Sequence, residues 1–150
     1  MNLFYKLAGV ALALCMASVS FCQQGSGGWT LDSVKGTYIF TEQGETGTVT
    51  PFAAVGVMTL DGSGNVSGSE SAQTMSGVID IKFTGTYSIN TDGSGSLLLT
   101  NTTLTTDEDG NAAIQTFSTK YKFFPANKNL ELKAVRLDTG TFLVSSFTRQ

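Results

Sequence analysis

Few side chains of this sequence are able to do chemistry, and histidine is absent. Without histidine the chain lacks the commonest general base, the commonest metal ligand and the usual pH switch. Catalytic triads of the serine–histidine type, cysteine–histidine pairs and histidine-ligated zinc are therefore excluded. The formal net charge of −3 provides no basic field for a phosphate backbone, so nucleic acid is not an expected partner.

Two acidic residues, Asp80 and Glu131, are expected in the middle of strands. Hydrolysis of a sugar bond would need two carboxyl groups facing each other across a cleft, about 5 to 9 Å apart. Each acid instead stands two positions before a lysine, Lys82 or Lys133, which is typical of a solvated sheet face with cross-strand ion pairs. We therefore expect no catalytic residues, no enzymatic activity and no cofactor.

Two acidic loops, residues 61–65 and 107–111, carry oxygen-bearing side chains at alternate positions, as calcium loops do. The first lacks the glycine that a calcium loop has at its sixth position, and neither has the bidentate glutamate at the twelfth. Asp, Asn, Ser and Gly are also the residues that hairpin turns prefer. We expect turns at both places and no metal site.

Aromatic side chains supply the candidate binding site, which consists of Tyr38, Tyr87, Tyr121 and Phe142. All four are expected on long strands, and three carry a hydroxyl able to orient a ligand. The hypothesis is a pocket near a barrel mouth that binds a small apolar molecule. A packed core is the alternative, because aromatic residues dominate ordinary cores and an eight-stranded barrel is either just filled or just wide enough for one small ligand.

The elements that must position these residues are β-strands. Over residues 79–89 every second residue is apolar or glycine and the others are polar, which predicts a strand with one buried face. A change of phase at Ala134 and Val135 suggests a β-bulge. Seven further strands are predicted at residues 34–43, 52–60, 64–73, 94–101, 112–124, 130–137 and 140–148.

Short turns rich in Gly and Asp separate these strands. Asp-Gly-Ser-Gly occurs at residues 61–64 and again at residues 92–95, and its glycines supply the positive φ that tight hairpins need. Consecutive strands joined by such turns must be antiparallel. The predicted fold is all-β, an antiparallel up-and-down meander that closes into a barrel of roughly eight strands, because closure removes the sheet edges.

The tripeptide Gly-Thr-Tyr occurs at residues 36–38 and 85–87, where glycine permits a bend or a close ring contact. With the Asp-Gly-Ser-Gly turns and residues 147–150, it resembles a pattern in uncharacterised secreted β-rich proteins of soil bacteria of the acidobacterial type. The resemblance covers residues 34–150 and implies export and a β-rich fold.

A second similarity is to lipocalin and other calycin barrels and, in outline, to allene-oxide-cyclase-like barrels. In calycins a Gly-x-Trp motif opens the first strand, and an arginine near the end of the last strand packs on the Trp ring. Gly36, Tyr38 and Arg149 would take these parts here, with tyrosine in place of tryptophan. The similarity implies a lipocalin-like barrel.

The N-terminus has the pattern of a secretory signal peptide. Lys6 ends a short charged region, and the apolar run 7–21 that follows is too short to span a bilayer. Cleavage is expected after Cys22, with cleavage after Ser20 or lipidation of Cys22 as alternatives. We predict a signal peptide at residues 1–22, a flexible tether at 23–28, and one barrel domain at 29–150, secreted or periplasmic and without a membrane span in the mature chain.

Three classes of function remain open: a barrel that binds a small apolar ligand, a structural or adhesive module of the cell envelope without a ligand, and a cyclase-like or isomerase-like enzyme. The 21 threonines and 15 serines give the outer face hydroxyl groups instead of charge, which suits adhesion to carbohydrate or protein. An aromatic-lined cavity of a few hundred Å³ would favour the first or third class. A filled interior would favour the second.

Overall fold

The computed structural model describes residues 28–47, 50–106 and 109–150. Each strand pairs with the next one along the chain, and the last pairs with the first, so the sheet closes into an antiparallel up-and-down barrel. The predicted fold class is confirmed. The predicted signal peptide, and the tether apart from Gly28, lie outside the described residues. The strands are β1 (Gly36–Thr46), β2 (Thr50–Leu60), β3 (Asn65–Thr74), β4 (Gly77–Ile89), β5 (Gly95–Thr106), β6 (Ala112–Ala126), β7 (Glu131–Arg136) and β8 (Thr141–Arg149).

Alternate residues of each strand point into the barrel, because successive side chains of a strand lie on opposite faces. In β4 the side chains of Ile81, Phe83 and Tyr87 are buried, while those between them face solvent. This is the alternation predicted for residues 79–89. Burial of the inward apolar side chains is the main favourable contribution to folding.

Aromatic rings lie directly over glycines of the sheet. A Cβ atom at any of these glycines would overlap the ring above it, so only glycine lets the ring reach the backbone. At Gly85 no ring is involved, and a Cβ there would overlap the backbone carbonyl oxygen of Leu98 on the paired strand. A Cβ at Gly56 or Gly68 would overlap a carbonyl oxygen of the paired strand in the same way. The ring contacts are those of Phe40 on Gly56, Phe83 on Gly68 and Phe123 on Gly95.

The segment before β1 seals one end of the barrel. It forms a 3-10 turn at Leu31–Val34, and the buried Tyr38 hydroxyl donates to the carbonyl oxygen of Val34 at 2.7 Å. The Tyr87 hydroxyl donates to the carbonyl oxygen of Leu31 at 3.1 Å and accepts from the Gly62 N–H at 2.9 Å. The first two bonds tie the turn to β1 and β4, and the third joins Tyr87 to the loop between β2 and β3.

The β-bulge predicted at Ala134 and Val135 is wrong. The pairing of β7 with β6 runs without interruption from Arg136 to Glu131. Val135 and Leu137 point outward and remain exposed, so the apparent change of phase in the sequence reflects aliphatic residues on the solvent face.

Candidate functional site

The structure does not bring the four predicted ligand-binding residues together. Tyr38 and Tyr87 are buried at the sealed end, and both hydroxyls are already bonded to backbone groups there. Tyr121 is buried in the barrel interior, whereas Phe142 lies on the outer face of β8 and is 76% exposed. No single surface joins the four side chains, and their binding of a ligand stays a prediction.

Arg149 is the cross-strand neighbour of Tyr38 on β8. Burial raises the pKa of Tyr38, and the positive charge of Arg149 opposes that rise. A Cβ atom at Gly36 would lie 2.6 Å from Arg149 Nε, so glycine leaves the space that the guanidinium group occupies.

The interior of the barrel is almost filled. The volume of its enclosed cavity that the centre of a water molecule can occupy is about 10 Å³. This is near the lower limit for one ordered water. Pockets that bind small molecules measure about 300 Å³ or more. The cavity is lined by Phe40, Glu42, Met58, Glu70, Phe83, Leu97, Leu99, Asn101, Tyr121 and Phe147.

A buried carboxyl group is the main chemical feature of this cavity. Glu42 on β1 is only 2% exposed, and the Tyr121 hydroxyl donates to its two oxygens at 3.2 and 3.0 Å. Burial disfavours the charged form and, with the negative charge of Glu70, raises the pKa of Glu42 to about 7; the Tyr121 hydrogen bond and the charge of Arg136 act against the rise. Glu42 is therefore able to take up or release a proton near neutral pH.

Three other charged side chains, Glu70, Arg136 and Asp138, act on the Glu42 carboxyl group. Burial raises the pKa of Glu70 as well, and the charge of Arg136 opposes this. Arg136 Nε donates to Asp138 Oδ2 at 2.5 Å, so its positive charge is already paired with a carboxylate.

Two neutral polar side chains reach the same level of the barrel. Asn101 uses its amide nitrogen to donate to the Phe117 carbonyl at 3.2 Å and to Thr119 Oγ1 at 3.1 Å. Ser145 lies directly opposite Glu42 across β1 and β8, and directly opposed residues of an antiparallel pair share a face. Its Oγ is buried and has no hydrogen-bond partner among the described residues.

Sequence reasoning missed Glu42. In the sequence it stands between Thr41 and Gln43, where the polar run is typical of the exposed end of a strand. The signal that was available is phase, because Glu42 is two and four positions after Phe40 and Tyr38, and large aromatic side chains favour the barrel interior.

In the turn at residues 61–65, the Asp61 carboxylate accepts hydrogen bonds from other residues of the same turn. Asp61 Oδ1 accepts from the backbone N–H groups of Ser63 at 2.7 Å and Asn65 at 2.9 Å, and Oδ2 accepts from the Asn65 amide at 2.6 Å. These bonds, that of the Asn65 side chain above all, lower the pKa of Asp61.

No group of three or more His, Cys, Asp or Glu able to hold a metal is present in the described chain. Asp107 and Glu108 of the second acidic loop lie outside the described residues.

The two acids expected in mid-strand both face outward. Lys133 Nζ lies 3.1 Å from Glu131 Oε2, so the ion pair forms within one strand and not across strands as expected. Asp80 differs from the expectation, since its Oδ1 accepts from Ser71 Oγ at 2.6 Å and the salt bridges of the described residues do not include it.

The outer face of the barrel carries exposed aliphatic side chains among its hydroxyl groups. Val78, Leu104 and Ile114 are 67%, 72% and 71% exposed and border a shallow depression of about 630 Å³. Leu104 and Ile114 pair directly across β5 and β6. We call these three residues the aliphatic patch.

Comparison of the chain with protein-family models, with curated proteins and with solved structures gives no match. Within the described residues, no helix has the length and apolar character needed to cross a membrane. The geometry of the barrel itself is therefore the basis for assigning a function.

Proposed function

We propose that this protein is an exported structural or adhesive module of the cell envelope, which acts through the outer face of its barrel. The filled interior is the observation that carries the proposal. A cavity of about 10 Å³ has no room for the small apolar molecule that a carrier would hold, because such a pocket needs about 300 Å³.

The composition of the outer face supports contact with another surface. Hydroxyl groups bond across strands there, as between Thr37 and Thr59 at 3.1 Å and between Ser88 and Ser96 at 2.8 Å. The parts of the outer face that carry hydroxyl groups instead of charges approach a partner at a lower cost of desolvation. The aliphatic patch adds exposed apolar area, which is a common mark of interaction sites.

Export rests on the predicted signal peptide at residues 1–22. The mature chain then begins at Gln23, and the mass of the secreted protein tests this directly. A diacylglycerol adduct on Cys22 would instead make the protein a lipid-anchored component of the envelope.

A calycin-type relationship is part of the same proposal, and the neighbouring positions of Tyr38 and Arg149 support it.

The first arm of the test is titration of the mature protein with fluorescent apolar probes. We expect no saturable binding, because the interior is filled. Saturable binding by the parent that is lost in both Tyr87→Ala and Tyr121→Ala would contradict the proposal and favour an interior carrier.

The second arm is co-sedimentation of the purified protein with the envelope fraction of cells that produce it. A Leu104→Ser/Ile114→Ser variant should bind at least fivefold more weakly than the parent. A matched control is Val135→Ser/Val144→Ser, a second exposed aliphatic pair that faces across β7 and β8 and should bind like the parent. No binding by the parent, or equal loss in both variants, would contradict adhesion through the aliphatic patch.

A further inference from the structure

One edge of β6 has no partner strand over much of its length. β6 pairs with β5 along its whole upper part, but it pairs with β7 only from Tyr121 onward. The turn after β7 reaches no further than Lys120, which bonds to Leu137 and Asp138. Within the described chain, Ala112–Thr119 therefore form a free sheet edge, which we call the β6 edge.

The β6 edge projects beyond the rim of the barrel. Val135 of β7 lies opposite Lys122 on β6 and opposite Val144 on β8. Three residues back along both strands, Thr119 is level with Thr141, the first residue of β8. The part of the β6 edge before Thr119 therefore extends past β8 by about 20 Å, at the usual rise of a strand. Among the strands that the structure describes, none lies beside this part to obstruct a second chain.

Every second residue of the β6 edge directs its backbone groups away from β5. In an antiparallel strand the N–H and C=O of one residue point to the same side, and successive residues alternate. The carbonyl oxygens of Ala113 and Phe117 accept from side chains of β5 at 3.4 and 3.2 Å, whereas Lys120 bonds on the opposite side. The outward backbone groups consequently belong to Ala112, Ile114, Thr116 and Ser118.

The β6 edge carries none of the residues that usually protect a free edge. Natural proteins protect such edges with charged residues, proline or a bulge. Ala112–Thr119 contain no charged residue and no proline, and their pairing with β5 is uninterrupted. The seam between β4 and β5 differs, because the Thr103 hydroxyl donates there to the Asp80 carbonyl oxygen at 2.8 Å. An uncharged edge of this length favours pairing with another strand.

The β6 edge is complementary to a second copy of itself. Two antiparallel copies can be aligned about Gln115, so that Ile114 of each copy faces Thr116 of the other. Ala112 then faces Ser118 in the same way. All of these facing residues direct their N–H and C=O outward, so each pair exchanges two hydrogen bonds. No like charges face each other, whereas a charged edge would repel its own copy.

The side chains on the outer face support the same alignment. The two Ile114 side chains become diagonal neighbours, at a distance that long side chains span. Ile114 and Leu104, which pair across β5 and β6, are both largely exposed. The alignment therefore covers apolar area and joins the aliphatic patches of the two copies into one surface.

We propose that this protein forms a symmetric dimer in which the β6 edges of two copies pair antiparallel about Gln115. The two-fold axis makes the contact self-complementary and closed, and the sheet of one barrel continues into the other. A single strand pair is a small interface, so the dissociation constant lies in the micromolar to millimolar range. The dimer goes beyond the envelope contact proposed above, and its test does not depend on that contact.

Sedimentation velocity of the purified mature chain over a series of concentrations measures the oligomeric state. We expect an equilibrium between monomer and dimer without larger species, because the pairing uses the β6 edge of both copies. Amide hydrogen exchange followed by NMR should slow with rising protein concentration at Ile114, Thr116 and Ser118. The amides of Gln115 and Phe117, which point to β5, should exchange equally at all concentrations.

Thr116→Pro removes an outward N–H close to the two-fold axis, and a free edge tolerates proline at such a position. It should weaken dimerisation by about tenfold or more. Thr116→Val keeps the N–H and the β-branched shape, so it is the matched control and should dimerise like the parent. Gln115→Lys leaves the backbone intact and places two like charges opposite each other, and it should also weaken the dimer.

Three results would overturn the proposal. The first is a parent that stays monomeric up to about 1 mM or grows into larger species. The second is a dimer that forms equally well in either folded variant, Thr116→Pro or Gln115→Lys. The third is concentration-dependent amide protection that does not alternate along the β6 edge.

Discussion

Glu42 shows how one residue couples the fold to pH. The pKa of its carboxyl group is about 7 in the barrel, compared with an ordinary value of 4.5, so the folded chain binds this proton more tightly than the unfolded chain does. The stabilising contribution is complete below the unfolded pKa and is lost as the pH rises through 7. Burial acts in the same direction on Glu70.

Replacement of Glu42 by glutamine removes this titration and keeps the side-chain shape. Glu42→Gln should raise the free energy of unfolding by about 1–3 kcal/mol at about pH 8 and change it little at about pH 5. Urea unfolding at the two pH values measures the difference. Glu131→Gln, which alters an exposed ion pair, should have a small effect at both, and an equal gain for Glu42→Gln at both would argue against a titrating buried acid.

The Tyr121 hydroxyl stabilises the ionised form of Glu42. Its hydroxyl is the donor to the Glu42 oxygens, and a donor to a carboxylate lowers the carboxyl pKa. Tyr121→Phe should therefore move the pKa of Glu42 above 7. NMR titration of the glutamate side-chain carbon measures the shift, and an unchanged or lower pKa would contradict the role given to the hydroxyl.

At the scale of the element, β4 depends on a close approach between strands. A side chain at Gly85 would overlap the Leu98 carbonyl of β5, and backbone atoms in a paired strand have little freedom to move. Gly85→Val should cost about 1–3 kcal/mol, the usual magnitude for overpacking. The neighbouring Thr86→Val on the outer face is the control for β-branching. Equal unfolding midpoints for both variants would contradict the close-approach argument.

The strands themselves were predictable, and their exact ends were less so. All eight exist near their predicted positions, because alternation and turn residues are local signals. The seventh was predicted from Leu130 onward, yet β7 begins at Glu131 and Leu130 is exposed. Strand ends depend on where the partner strand stops pairing, which is not a local property.

At the scale of the whole molecule, the closed sheet contains one strand, β7, that is shorter than all the others. β7 has 6 residues, whereas its neighbours β6 and β8 have 15 and 9. Regions with fewer interstrand bonds open at lower free energy than the global unfolding event. Native-state hydrogen exchange should show β7 amides exchanging through a smaller opening free energy than those of β4 and β5. Equal values throughout would indicate that the barrel opens only as one unit.

The sequence by itself determined the class, the strand number and the meander order, because side-chain alternation, glycine turns and short connections act between residues close along the chain. Where both sets of alternate residues in a strand are apolar, only the tertiary structure decided which set faces inward. In β8 both sets of alternate residues include apolar side chains. In the closed barrel, where β8 pairs with β1, Leu143 and Phe147 face inward and Phe142 is exposed to solvent. The same closure placed Glu42 opposite Ser145 in the interior, since a residue's neighbours across a barrel come from strands far apart in the chain.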